Sequence, residues 1–121
     1  MKISALQFGK QAELSALEYL EKSGLIEVAR NFRSRTGEID LIMLDRAALV
    51  FIEVRSRHSN SFMNPLETID YRKQRKIVLT SRFFMQRYKG EYECCRFDVV
   101  TLTGKIDSPQ IDWIKNAFFV E

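Results

Sequence analysis

The sequence predicts an α/β fold in which a mixed sheet is flanked by helices, and two observations carry that prediction. Apolar residues recur at helical spacing in residues 5–22 and again in residues 71–88, and the other patterned segments are short β-compatible runs bounded by residues such as Gly37 and Asp45. Their order is helix, several strands, helix, strand and a last element, which fits one sheet covered by helices.

In residues 5–22, Leu6, Phe8, Ala12, Ala16, Leu17, Tyr19 and Leu20 fall near one helical face, and Ser23-Gly24 supplies a stop. Glu13 lies four residues before Leu17 and seven before Leu20, so it projects from the apolar face while Glu18 and Glu21 turn outward. An acid on a buried face needs a basic group, a backbone amide or a chemical task. Residues 26–32 read as a strand, and Arg33-Ser34-Arg35-Thr36-Gly37 as a mobile basic turn. Residues 38–44 and 49–57 are two further strands, joined as a hairpin. Strict alternation puts Glu38 and Asp40 on the face of Ile42 and Leu44, and Phe51, Glu53 and Arg55 opposite Val50, Ile52 and Val54. Carboxylates therefore stand where hydrophobes are expected. Asn64-Pro65-Leu66-Glu67 offers a helix start, with Pro in the first turn and Glu placed for a reciprocal cap, and Asp70 offers another. From Tyr71 onward Gln74, Ile77, Val78, Ser81, Phe84, Met85 and Tyr88 form one stripe, of which Gln74 is a polar member. Residues 96–103 form a strand, Gly104 a turn, and residues 111–118 a last element of strand or mixed character.

At 121 residues, 45% hydrophobic and 29% charged, the chain has the size and composition of a single globular domain. A domain of this size buries about two-thirds of its unfolded surface and needs no disulfide staples. The two cysteines, Cys94 and Cys95, are neighbours, a spacing that suits neither a structural zinc site nor a loop-closing bridge. Reduced thiols in a cytoplasmic protein fit that pattern. No run has the length of a membrane span or the character of a secretory leader, so neither insertion nor export is expected. The net charge of +3 is modest, but its distribution is not. Arg72, Lys73, Arg75, Lys76, Arg82, Arg87 and Lys89 follow one another with no intervening acid, either a solvated helix face or a patch for phosphate backbones.

Asp40 and Glu53 fall on neighbouring strands, and Arg55 follows Glu53 by two residues on the same side. Phosphodiester hydrolysis needs such a group: carboxylates to hold Mg²⁺ or Mn²⁺, an activated water, and a cation where negative charge builds up on the phosphate. An acid followed two residues later by a base is equally the pattern of a surface ion pair.

The stretches Gly37-Glu38-Ile39-Asp40-Leu41-Ile42 and Val50-Phe51-Ile52-Glu53-Val54-Arg55-Ser56-Arg57 resemble the YraN family of uncharacterised bacterial proteins. Gly9 and Glu13, Tyr19-Leu20, Arg30-Asn31-Phe32-Arg33, Pro65 with Glu67, Lys73-Gln74, Arg96-Phe97-Asp98-Val99-Val100 and residues 114–118 fall in the family's order, so the resemblance spans nearly the whole chain. That family is similar to PD-(D/E)XK nucleases, in particular archaeal Holliday-junction resolvases. The resemblance implies a restriction endonuclease-like α/β/α core and a metal-dependent endonuclease acting on branched or structured DNA. It places the helix-one acid at Glu13, the metal-binding acids at Asp40 and Glu53, the motif's basic residue at Arg55, and a polar residue of the following helix at Gln74.

One position departs from the pattern. The usual basic residue is lysine, whose ammonium positions or helps deprotonate the attacking water, whereas arginine stays protonated. Arg55 is therefore expected to bind the scissile phosphate or stabilise transition-state charge. The alternatives are a nucleic-acid-binding module of the same fold without catalysis, and an interaction protein in which the acids and Arg55 form a structural ion-pair network. Arg33, Arg35, Arg57, Arg72, Lys73, Arg75 and Lys76 are the candidate nucleic-acid contacts, through phosphates that position without specifying sequence. Gln74 could instead be a core amide bonded to backbone, and Glu38 a partner of Arg33 or Arg35. Asp98 reads as structural, His58 as a solvated loop residue, and Phe83, Phe84 and Tyr88 as packing groups. Resolvase-like relatives would also imply a two-fold homodimer.

Overall fold

The computed structural model describes residues 4–57, 69–105 and 107–118. Helix α1 (Ala5–Lys22) starts at Ser4, whose hydroxyl accepts from the Gln7 amide at 3.2 Å while the Gln7 side chain accepts from the Ser4 amide at 3.0 Å. This reciprocal cap satisfies amides that the first turn leaves without partners. The helix stops at Ser23 and Gly24, the latter with φ +100°, a conformation that glycine adopts without a Cβ penalty.

Five strands follow: β1 (Ile26–Ser34), β2 (Gly37–Asp45), β3 (Ala48–Arg57), β4 (Cys94–Thr103) and β5 (Gln110–Phe118), with helix α2 (Tyr71–Arg87) between β3 and β4. They lie in one sheet in chain order, antiparallel except for the parallel pair β3–β4. That exception is what a helical crossover requires. Ala12, Ala16, Leu17 and Leu20 of α1 pack with Leu41, Met43, Val50 and Ile52 on one face. Ile77, Val78 and Phe84 of α2 pack with Ile39, Ile42, Leu49 and Phe51 on the other. The expected sheet flanked by helices is thus present, and the first six residues of β3 are all buried because apolar side chains on both faces meet a helix.

Two local expectations are corrected. First, β1 runs on to Ser34, leaving Arg35-Thr36 as the turn, and this hairpin tip is anchored: the Thr36 and Thr80 hydroxyl oxygens lie 2.7 Å apart, joining it to α2. Second, the alternation of β2 breaks at Asp40. Ile39 packs on the face of Ile42, three residues away, and not with Leu41 and Met43, so strict alternation does not run from Glu38 through to Leu44. The cause is visible in the pairing. The β2–β3 ladder ends at Leu41 opposite Ile52, and the next β3 amide bond, from Val54, goes to the Asp40 carboxylate at 2.8 Å. Of the two starts the sequence offers for this helix, Asp70 is the cap of α2, its carboxylate accepting from the Lys73 amide at 2.8 Å. His58 and the alternative start at Asn64-Pro65-Leu66-Glu67 lie outside the described residues.

Asp98 is structural, as expected. Fully buried, it accepts from the Arg96 guanidinium at 3.1 Å, the Trp113 indole at 2.9 Å and the Asn116 amide at 3.1 Å, while Arg96 also reaches Asp45 at 2.8 Å. These bonds cross from β2 through β4 to β5 and satisfy a charge that would otherwise be costly to bury. Among the described residues no helix is long and apolar enough to cross a membrane.

Candidate active site

The end of the β2–β3 ladder leaves room for charged side chains, and the sequence fills it with acids. Glu53 continues the alternation of Leu49 and Phe51, so it points toward α2, where it is only 3% exposed. Asp40 sits in the gap and is held by the Val54 amide. Glu13, half-buried on α1, approaches from the opposite layer, in a pocket it shares with Lys10, Arg30, Asn31 and Leu41.

Two cations meet Glu53. Arg55, two residues along the same strand, places a guanidinium nitrogen 3.7 Å from Glu53 Oε2, and Lys73, in the first turn of α2, places Nζ 3.9 Å from the same oxygen. Both are long for ion pairs and neither covers the other oxygen: Glu53 Oε1 and Arg55 Nε are buried without a hydrogen-bond partner among the described residues. Such orphaned groups are rare in an interior because each forfeits its solvation.

The electrostatics follow from that burial. Desolvation, reinforced by the charge of Asp40, pushes the Glu53 carboxyl up to about 8 against the pull of Lys73 and Arg55. Burial also raises Asp40, although the Val54 amide and Arg55 oppose it. Glu13 is raised by burial and then by the charges of Asp40 and Glu38, with Asn31 and Lys10 opposing. Burial is thus the largest influence on all three carboxyls, and the charge of Asp40 is felt at both Glu13 and Glu53.

Of the residues singled out in the sequence, Asp40, Glu53 and Arg55 fall together, and Glu13 feels the charge of Asp40 from α1. Gln74 follows Lys73 in α2, but its amide nitrogen donates to the Ile69 carbonyl at 3.1 Å, the backbone role weighed for it. Glu38 pairs with Arg33 at 3.0 Å. Arg35, Arg57, Arg72, Arg75 and Lys76 are exposed, Arg35 at the hairpin tip, Arg57 at the end of β3 and the others on α2. Sequence reasoning placed Lys73 with the phosphate contacts and missed its approach to Glu53, because the Asp70 cap puts Arg72 and Lys73 alike in the first turn. Asn31 was also missed as a neighbour of Glu13. It occupies the left-handed region at φ 53°, which Asn tolerates better than most residues, and an Asn inside a strand pattern was its only mark.

Comparison with known proteins identifies the family. The model of the Uncharacterised protein family UPF0102 matches residues 12–102, a span that includes every acid and cation of the site. The chain belongs to this family. It is similar to a UPF0102 protein of Pseudomonas putida, 46% identical over 118 residues, covering 95% of this chain and 94% of the relative. It is likewise similar to a UPF0102 protein of Coxiella burnetii, 44% identical over 116 residues with 95% and 94% covered. A third UPF0102 relative, of Stutzerimonas stutzeri, is 41% identical over 111 residues with 91% and 92% covered. UPF0102 is the YraN family that the two β-strand stretches resemble.

Whether this site suits a divalent cation is a question of donor chemistry. Among the described residues no three His, Cys, Asp or Glu side chains are gathered closely enough to hold an ion unaided. Mg²⁺, however, is commonly held by one or two carboxylates and completes its shell with water and substrate phosphate. Asp40 and Glu53 meet that lesser requirement: a half-buried and a buried carboxylate on adjoining strands, the second with an oxygen that lacks a partner among the described residues.

Proposed function

We propose that this protein hydrolyses phosphodiesters in DNA, on a restriction endonuclease-like α/β/α core, with Mg²⁺ or Mn²⁺ held by Asp40 and Glu53. The observation that carries the reading is the buried, unpartnered Glu53 Oε1 beside Asp40, two acids in an environment that disfavours their charge until a cation arrives. When bound, the cation supplies Lewis acidity and screens the charge of the phosphate. The remaining tasks fall to side chains. Arg55, 30% exposed, is placed to grip a phosphate oxygen, because its planar fork matches that geometry and it stays charged throughout. Lys73 supplies the ammonium that the strand motif lacks. It reaches Glu53 from α2, can orient a water through its N–H bonds and, unlike arginine, can exchange a proton with it. In the reaction the water oxygen forms a new bond to phosphorus, one ester P–O bond breaks, the water gives up a proton, and the leaving oxygen takes one up.

A second reading keeps the binding surface and drops the chemistry, and the Arg55 contact to Glu53 favours it, since a guanidinium held there competes with a cation for the carboxylate. Cleavage of labelled linear, flap and four-way-junction DNA in Mg²⁺ or Mn²⁺ separates the two. Under our reading the native protein cuts, Arg55→Lys cuts within about tenfold of it, and Lys73→Ala falls by about a hundredfold or more, the size of a lost proton-transfer group. A native protein that binds but never cuts, with Arg55→Lys switching cleavage on, establishes the second reading instead.

A further inference from the structure

Where the β1–β2 hairpin lies against the C-terminal half of α2, Arg33, Ser34, Arg35, Phe83 and Arg87 line a cleft of about 290 Å³. That volume is at the lower end of ligand-binding sites, too small to enclose a cofactor and sufficient for part of one nucleotide. No acid lines it. Arg33 turns its Nε to Glu38, yet its side chain remains 78% exposed. Among the described residues Arg35 and Arg87 have no acidic partner within ion-pair distance. Phe83 is 36% exposed, whereas the adjacent Phe84 is committed to the core against Phe32, Phe51 and Tyr88.

Both walls are fixed. Phe32 of β1 meets Phe84 of α2 edge-on at 5.2 Å, and the Thr36–Thr80 contact pins the turn, with Thr80 fully buried. The arginines therefore project from an anchored hairpin. The cleft is joined to the strand that carries Asp40: Arg33 pairs across the hairpin with Glu38, two residues before Asp40 on β2.

We propose that this cleft binds a single-stranded segment of the DNA substrate, a phosphate lying among the three arginines and its base stacked on Phe83. Guanidinium groups match phosphate oxygens, and an exposed phenyl face stacks any base without reading its identity. A closed duplex offers the phosphate but not the free base face, so the cleft selects an unpaired arm beside the cleavage position. The identity of the ligand as DNA rests on the function proposed above; the shape of the site does not.

The test is fluorescence anisotropy with the native full-length chain in chelator, so that no cutting occurs, on a labelled single-stranded oligonucleotide, a blunt duplex and a duplex carrying a single-stranded arm. Phe83→Ala is expected to weaken binding to the two probes with unpaired bases about fivefold or more, and to the blunt duplex less than twofold. Arg87→Gln is expected to lower the salt slope on the single strand by about 0.7. Leu79→Ala, an exposed apolar residue one turn earlier on α2, controls for a general change of surface and should leave all three probes unchanged. Equal losses on blunt and armed probes, or no loss with Phe83→Ala, overturn the proposal. Parallel cleavage assays keep the two ideas apart: a native protein that cuts while Phe83→Ala binds normally defeats only the cleft, and one that never cuts while Phe83→Ala loses the arm defeats only the nuclease.

Discussion

With Asp40 beside it, Arg55 and Lys73 at the edge of ion-pair distance and 3% of its surface exposed, Glu53 is more comfortable protonated than charged. Its folded value near 8 lies above its ordinary 4.5, so its contribution to stability is present in full below pH about 4.5 and is lost as the pH rises through 8. Glu53→Gln removes that loss. In chelator at pH 8 the variant should melt about 3 °C or more above the native protein, and the difference should shrink toward pH 4.5, as read by thermal unfolding across that range. A site residue that stabilises when neutralised is the expected signature of a group retained for chemistry. At this scale the sequence was informative about identity and silent about distance. Asp40, Glu53 and Arg55 could be picked out because charges interrupt an apolar alternation. Lys73 could not be told from its neighbours Arg72 and Arg75, since all three belong to one basic run and only the tertiary placement of α2 separates them.

The elements explain how those residues are delivered. β3 carries Glu53 and Arg55 on one face because its alternation is regular, and β2 carries Asp40 just beyond the last pair of its ladder with β3, where the Val54 amide holds it. Regular parity was read straight from the residues; the break at Asp40 was illegible, since it depends on a side-chain carboxylate taking the amide of Val54 on the neighbouring strand. The start of α2 was legible as one of two choices, and its cap decides where Lys73 points. Asp70→Ala should therefore cost about 1 kcal/mol of stability and lower the cleavage rate by loosening the first turn. Asp70→Asn, an equally good cap, should restore both in denaturant unfolding and cleavage assays. Loss of stability with no loss of rate would separate the cap from Lys73 positioning. The hairpin tip shows the opposite error: five polar residues looked mobile, yet Thr36 meets a threonine 44 residues away. No local pattern announces such a contact.

For the molecule as a whole, a sheet between two helices was legible from periodicity and order, because each helix shows one apolar stripe and β3 is apolar on both faces. Strand order was not, and neither was the Arg96–Asp98–Trp113 network that joins β4 to β5. The fold brings acids from β2 and β3 to one place and lays a basic helix beside them, so that a phosphate approaching Arg55 and Lys73 also approaches the carboxylates. The central claim is that Asp40 and Glu53 serve a divalent cation in cutting DNA. The measurement that tests it most directly is Mn²⁺-dependent cleavage of a labelled four-way junction by native protein, Asp40→Asn and Glu53→Gln, with Mn²⁺ binding followed by electron paramagnetic resonance on the same samples. The account predicts cutting and Mn²⁺ uptake by the native protein and loss of both in each variant, with all three folded. Cutting that persists in either variant, or Mn²⁺ uptake unchanged by both, would contradict it.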